Sequence, residues 1–235
     1  MTAACNICGN DEWGDMGSRR NVRCVTCNSL ERTRVMKLFL DRHRSRSNVT
    51  RVLHFAPEKG LFEHVSGLDL VEYRVADFMP QNFKFTEVER FDLCTDCRDL
   101  PSDTYDVIMH AHIMEHVPCN VTAVLSHLHR ALAPGGVHLM CIPFMNGGSE
   151  EDLGELSRED ATRRFGQGDH VRKFGRLDMG RTLGMVFRIR DPFSLLDYFS
   201  ADELDRCNIP ERERTGYTGT SVFPLTKADY LLAQS

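Results

Sequence analysis

The chain has 235 residues, 41% of them hydrophobic and 27% charged, enough for one sizeable core with a small appendage. No apolar run reaches membrane-spanning length, and the N-terminus lacks the charged-then-apolar pattern of a signal peptide, so a cytoplasmic protein without a spanning helix is expected. The net charge of −5 is uneven: residues 1–51 hold ten Lys or Arg against five acids, a balance of +5, and the remainder carries −10.

Two cysteine pairs come first, Cys5-x-x-Cys8 and Cys24-x-x-Cys27, separated by fifteen residues. That spacing is a zinc-site pattern. Two such turns offer four thiolates to one ion and close its tetrahedron, so the metal expected is zinc in a structural role. The alternative is four buried cysteines without a ligand. A redox pair is disfavoured, because neither pair sits at a strand-to-helix turn of a βαβ unit. The nine cysteines of the chain suit a reducing compartment better than a disulfide framework. The basic residues around the cysteines can grip phosphates, or they can be solvated or face the acidic remainder. Scarce aromatic residues favour the second reading.

After the cysteines, Ser29 is placed to cap a helix over 30–44, with Val35, Leu38 and Phe39 on one face. The polar stretch 44–48 marks a boundary, giving a module of 1–47 and a main domain of 48–235. Strands then alternate with helices: strands over 52–55, 72–76, 89–93, 106–110 and 137–142, helices over 59–66 and 121–133. Such alternation predicts an α/β fold with a mostly parallel sheet, whose ligands bind at the carboxyl ends of the strands. Residues 146–175 are polar and Gly-rich and read as a lid or substrate insertion. A helix near 175–183, a strand over 185–189 and an antiparallel last strand over 219–225 complete the prediction.

Three segments in order carry a resemblance. Thr95-Asp96-Cys97-Arg98-Asp99-Leu100-Pro101 leads to Asp106-Val107-Ile108, then Glu115-His116-Val117, then Leu128-His129-Arg130-Ala131-Leu132-Ala133-Pro134-Gly135-Gly136. Together they resemble the class I S-adenosylmethionine-dependent methyltransferases. The resemblance implies a Rossmann-like sheet of seven strands with the last antiparallel, here with a small zinc-ribbon-like N-terminal module. The family's first loop is usually E-x-G-x-G; here it reads His54-Phe55-Ala56-Pro57-Glu58-Lys59-Gly60. This A-P-E version, with the upstream Ser29-Leu30-Glu31-Arg32-Thr33-Arg34, is similar to a subset of bacterial methyltransferases that carry an N-terminal Cys-rich segment.

The resemblance implies S-adenosylmethionine as cofactor and assigns its contacts. Asp77 would accept from the ribose hydroxyls, with Glu72 as the fallback. Asp96 and the Cys97 backbone would meet the adenine, although an Asp there can also simply fix a turn. The backbone of Phe55, Ala56 and Pro57 would line the methionine part, and Glu58 would bind its ammonium or cap the following helix. His110 and Ala111 would flank the sulfonium.

Methyl transfer is an in-line displacement at an activated carbon, so positioning matters most and a base is needed only for a protonated acceptor. His112 and His170 are the candidate bases, and Arg172 is a candidate clamp for a carboxylate or phosphate. The competing reading has Asp169, His170 and Arg172 pinning the lid. His116 and His138 read as structural, and Cys94, Cys119, Cys141 and Cys207 as packing residues. Three functions follow: methylation of a small molecule, methylation of an RNA held by the basic module, or cofactor binding without turnover. The helix after the cysteines leads straight into the main domain, so the module is expected to pack beside the active-site mouth.

Overall fold

Apolar alternation in the middle of the chain becomes one central sheet. The computed structural model describes residues 2–232. An antiparallel hairpin, β1 (Trp13–Met16) with β2 (Arg19–Cys24), precedes helix α1 (Glu31–Arg44). There follow β3 (Arg51–Phe55), α2 (Lys59–Ser66), β4 (Glu72–Asp77), β5 (Glu89–Arg90), β6 (Tyr105–Ala111), α3 (Val121–Ala131) and β7 (Leu132–Cys141). Short strands β8 (Phe144–Met145), β9 (Glu150–Glu151) and β10 (Arg172–Gly175) surround helix α4 (Arg158–Phe165). Helices α5 (Leu183–Val186) and α6 (Ala201–Arg206) lead to the last strand, β11 (Val222–Leu225). Among the described residues, no helix is long and apolar enough to cross a membrane.

The main sheet has the order β11-β7-β6-β3-β4-β5. Every neighbouring pair is parallel except β11 with β7, which runs antiparallel from Val222 opposite Cys141 to Leu225 opposite His138. Strands β3, β6 and β7 are buried along almost their whole length, because helices cover both faces of such a sheet. At the start of β7, Gly136 is required by close approach: a Cβ there would meet the Asp106 carbonyl oxygen at 2.9 Å and that of Tyr105 at 3.0 Å.

The α/β class, the parallel sheet and the antiparallel last strand agree with the sequence reading, but the described sheet has six strands where seven were expected. The stretch predicted as a strand at 185–189 begins in α5 and then makes a single bridge, Phe187 opposite Tyr230. Val186 and Phe187 are both buried, and Phe187 packs on His129 with ring centroids 5.2 Å apart. A short apolar run of this kind is ambiguous between strand and helix until packing decides. The third strand stops at Arg90, and the predicted helix near 175–183 is mostly a turn of 3₁₀ helix over 179–181. The predicted insertion is a structured one: β8, β10 and β9 form a small separate sheet, on which α4 packs.

Helix α1 does not belong to the cysteine module alone. Its Val35, Met36, Phe39 and Leu40 lie in the main core, whereas Cys5, Cys24 and Cys27 form a second small cluster with Ile7 and Trp13. Arg34 joins the two. Its buried guanidinium donates to the carbonyls of Ser29 (2.9 Å), Cys207 (2.7 Å) and Asn208 (3.0 Å) and stacks 4.5 Å over the Trp13 ring.

Candidate functional site

The carboxyl ends of β3, β4, β5 and β6 open into one cleft of about 580 Å³. Its floor is apolar, with Phe55, Phe91, Leu93 and Val117. Its polar lining includes Asp77 at the end of β4, Asn82, Asp92 just past β5, and His112, His116 and Asp169. The exposed side chains of Phe78 and Met79 form part of the rim. A cleft at this edge of an open α/β sheet is where the class binds its ligands.

Two non-glycine residues of the lining hold left-handed backbone, Ala56 at φ +46° and His112 at φ +55°. Each follows a central strand, and each is fixed by a backbone bond, Ala56 N–H to the Ala76 carbonyl (3.0 Å) and His112 N–H to the Cys141 carbonyl (2.9 Å). Left-handed geometry costs an alanine about 1 kcal/mol, a strain that surrounding structure must hold in place. The loop thus keeps a backbone path that glycine would adopt freely, without the glycine.

The expected cofactor residues separate into two groups. Phe55, Ala56 and Asp77 line the cleft. Asp77 Oδ1 accepts the Met79 amide at 2.7 Å, and burial pushes its carboxyl above the ordinary range. Pro57, Glu58, Asp96, Cys97, His110 and Ala111 are not part of that lining. Asp96 folds back on its own turn, accepting from the Asp92 amide (2.8 Å) and the Thr95 hydroxyl (2.7 Å), contacts that hold it below the usual carboxylate range. Cys97 and Pro57 are buried behind the loops, and Glu72, at the start of β4, pairs with Arg51 at 3.1 Å. His110 is fully buried in β6, with its ring 5.1 Å from that of His138 and with no hydrogen-bond partner among the described residues. Glu58 turns toward α1: Arg32 Nη2 donates to Oε1 at 2.7 Å and Thr33 Oγ1 to Oε2 at 2.5 Å. Asp92 is the lining acid that the sequence reading missed. It stands two residues past the end of β5, four residues before the acid in the resembling segment, and it holds the Cys94 amide at 2.9 Å.

Of the three candidates for chemistry, only His112 lines the cleft. Its Nε2 donates to the Gly219 carbonyl at 3.0 Å, which leaves Nδ1 with the lone pair, and burial pushes the ring down to about 3. His170 stands behind it, its ring edge-on to His116 with centroids 4.5 Å apart. Arg172 is 2% exposed. Its guanidinium donates to the carbonyls of Met114 (2.5 Å), Val117 (2.6 Å) and Cys119 (2.7 Å) and to Glu151 Oε2 (2.7 Å). It therefore clamps the loop after β6 onto β10, and these bonds occupy the fork that an acceptor would need.

The four N-terminal cysteines converge. Cys5 and Cys27 sulfurs are 3.6 Å apart, those of Cys8 and Cys24 are 3.5 Å apart, and all four lie within 4.8 Å of one another. A tetrahedral Zn–S₄ centre with bonds of about 2.3 Å needs sulfur separations of about 3.8 Å, so the donor set fits one thiophilic cation. Arg19, Arg20, Arg32, Lys37 and Arg51 of the basic segment pair with carboxylates, and Arg34 and Arg42 donate to backbone carbonyls.

Comparison with known proteins places this geometry in a family. A family model described as a methyltransferase domain matches residues 25–209. No curated protein matches the chain in sequence. Similar solved structures include the CurJ carbon methyltransferase, with 22% identity and a TM-score of 0.37 over 48% of this chain and 35% of that one. Coclaurine N-methyltransferase bound to N-methylheliamine and S-adenosylhomocysteine has 15% identity and a TM-score of 0.43, over 70% of this chain and 52% of that one. The YcgJ protein from Bacillus subtilis has 15% identity and a TM-score of 0.42, over 76% and 79%. The chain thus spans about a third to a half of the first two of these. The match over residues 25–209, most of the chain, shows the family: the chain belongs to the methyltransferase-domain family.

Proposed function

We propose that the cleft binds S-adenosylmethionine and passes its methyl group to an oxygen or nitrogen of a small-molecule acceptor, while Cys5, Cys8, Cys24 and Cys27 hold a structural zinc ion. The observation that carries the reading is the pair of acids, Asp77 and Asp92, at the ends of adjacent strands in one apolar-floored cleft. Asp77 would take the ribose hydroxyls. Asp92 and the Cys94 segment would face the adenine between Phe78 and Phe91, which displaces Asp96 from that role. The backbone of Phe55 and Ala56 would line the methionine part, with the reacting sulfur toward His112.

S-adenosylmethionine would supply a sulfonium methyl for in-line displacement by the acceptor's lone pair, with the carbon–sulfur pair leaving on the sulfur as S-adenosylhomocysteine and any acceptor proton passing to solvent. The sulfonium already activates the carbon, so the site needs orientation above all. His112, held down at about 3, stays neutral but is a weak proton acceptor, so its part is to position the acceptor. A small acceptor is favoured because the cleft is a hollow of about 580 Å³, and because most of the basic residues that would grip RNA are engaged within the fold.

Calorimetry with S-adenosylhomocysteine tests the cofactor reading. Binding to the native protein that Asp77→Ala weakens supports it, and absence of any binding ends it. Metal analysis tests the zinc: one ion per chain is expected, and fully titratable cysteines with little zinc would reject it.

A further inference from the structure

Beside the cleft, one side-chain group remains that methyl transfer does not use. Glu115, His116 and His170 each bring a ligand-capable atom within 4.8 Å of the others. Their donors are oriented as metal ligands usually are. A ligating imidazole commonly gives its second ring N–H to a carbonyl or carboxylate, which fixes the tautomer and aims the free nitrogen at the ion. His170 Nδ1 lies 3.0 Å from the Phe165 carbonyl, and His116 Nδ1 lies 3.4 Å from Asp169 Oδ2. His170 is thus left with Nε2 free, and His116, whose Nδ1 faces Asp169, has its Nε2 4.0 Å from Glu115 Oε1. Glu115 is 2% exposed, and its Oε2 has no hydrogen-bond partner among the described residues. An unpartnered buried carboxylate oxygen is costly, and a cation would satisfy it. The surroundings are rigid: the Val171 amide donates to the Glu115 carbonyl at 2.9 Å, and Arg172 fastens the same loop at Met114 and Val117.

We propose that Glu115, His116 and His170 form a site for a divalent cation at the edge of the cleft, where an acceptor oxygen completes the coordination. The site itself stands on geometry alone; its acceptor role rests on the cleft being the cofactor site. Two imidazoles and a carboxylate, with open positions, suit Mn²⁺, Fe²⁺, Co²⁺ or Zn²⁺. His116 and its partner Asp169 line the cleft, so the ion would stand between the buried Glu115 and the space left for the acceptor. A hydroxyl or carboxylate acceptor fits such a site, and a simple amine does not.

Mn²⁺ is the probe, because its preference for nitrogen and oxygen donors separates this site from the four-cysteine one. Zinc-loaded full-length protein is titrated with Mn²⁺ and the free ion is followed by electron paramagnetic resonance. A single Mn²⁺ per chain is expected, with affinity lowered about tenfold or more in both Glu115→Gln and His170→Ala. Zinc content and S-adenosylhomocysteine affinity, unchanged in these variants, report that they are folded. No Mn²⁺ binding at millimolar ion, or binding equally tight in both folded variants, overturns the site. If S-adenosylhomocysteine fails to bind while Mn²⁺ binds and responds to the variants, the cofactor reading falls and the metal site stands.

Discussion

Gly60 lies directly against Cys27: a Cβ on Gly60 would stand 3.1 Å from both the Cys27 Cβ and its carbonyl oxygen, and 3.2 Å from its sulfur. The four-cysteine cluster is therefore seated on the first turn of α2, just beyond the loop that carries Phe55 and Ala56. With Glu58 held by Arg32 and Thr33, this makes two contacts from the N-terminal segment to the far end of the loop that follows β3.

Gly60→Ala is a sensitive probe of that seat. In a helix, Ala is ordinarily worth about 0.5–1 kcal/mol over Gly. Here the added methyl meets the Cys27 carbonyl oxygen and sulfur, so crowding is expected to outweigh the gain and lower stability by about 1 kcal/mol. Gly60→Val should cost more, and both should speed zinc release to a chelator. Denaturant melts and chelator kinetics check this; a stabilised Gly60→Ala would show that the contact yields freely.

Asp77 and Asp96 separate two accounts of the cofactor contacts. Asp77→Ala is expected to weaken S-adenosylhomocysteine by about 1.5–3 kcal/mol, the size of a lost charge-assisted hydrogen bond. Asp92→Ala should also weaken it. Asp96→Ala should change affinity little, since its carboxylate serves its own turn. Isothermal titration of the three variants decides, and a large loss confined to Asp96 would return the adenine contact to it.

Arg172→Lys should destabilise the protein by about 3 kcal/mol, because an ammonium cannot serve three carbonyls and a carboxylate at once and leaves buried acceptors unpaired. Thermal unfolding gives the number. An unchanged melting temperature with a raised KM for acceptor would restore the clamp expected from the sequence.

Acid should unfold the protein early. Burial pushes His54 and His110 down to about 3 from an ordinary 6.5, and His138 well below it. Unfolded, each takes a proton near 6.5; folded, each does not. Stability is therefore full above 6.5 and is lost as the pH falls toward the folded values, by up to about 1.4 kcal/mol per pH unit for each ring. Denaturant midpoints between pH 7.5 and 5 should fall steeply, and His138→Gln should flatten the slope. A midpoint independent of pH in this range would contradict the burial.

What could be read from the sequence was what local pattern encodes. The span of α2 at 59–66 was legible outright, and α1, β3 and the antiparallel return of β11 were legible because their apolar spacing agrees with their place in the fold. Residues 185–189 were not, because a short apolar run is ambiguous between strand and helix until packing decides. Asp92 was hidden by its neighbour, as the resembling segment draws attention to Asp96. Arg172 looked like a free polar group, since sequence cannot show that three carbonyls of a distant loop converge on it. Glu115 was legible only as part of a family turn; its burial beside two imidazoles arises from loops more than fifty residues apart.

Arg34 bears on how this protein could be rebuilt. Its guanidinium reaches from the cysteine segment to Cys207 and Asn208, beyond α6, and the same neighbourhood is joined by Ala4 N–H to the Arg206 carbonyl and Asn208 Nδ2 to the Asn21 carbonyl. The N-terminal segment through Arg34 is thus not a detachable cartridge. A chimera that exchanges only the N-terminal segment would strand a buried cation and its carbonyls, whereas one that carries residues 201–214 along with it would keep those bonds and leave the seat on Glu58 and Gly60 to be matched. Crossover points for domain shuffling in this chain should be chosen in three dimensions, one in each half of the sequence.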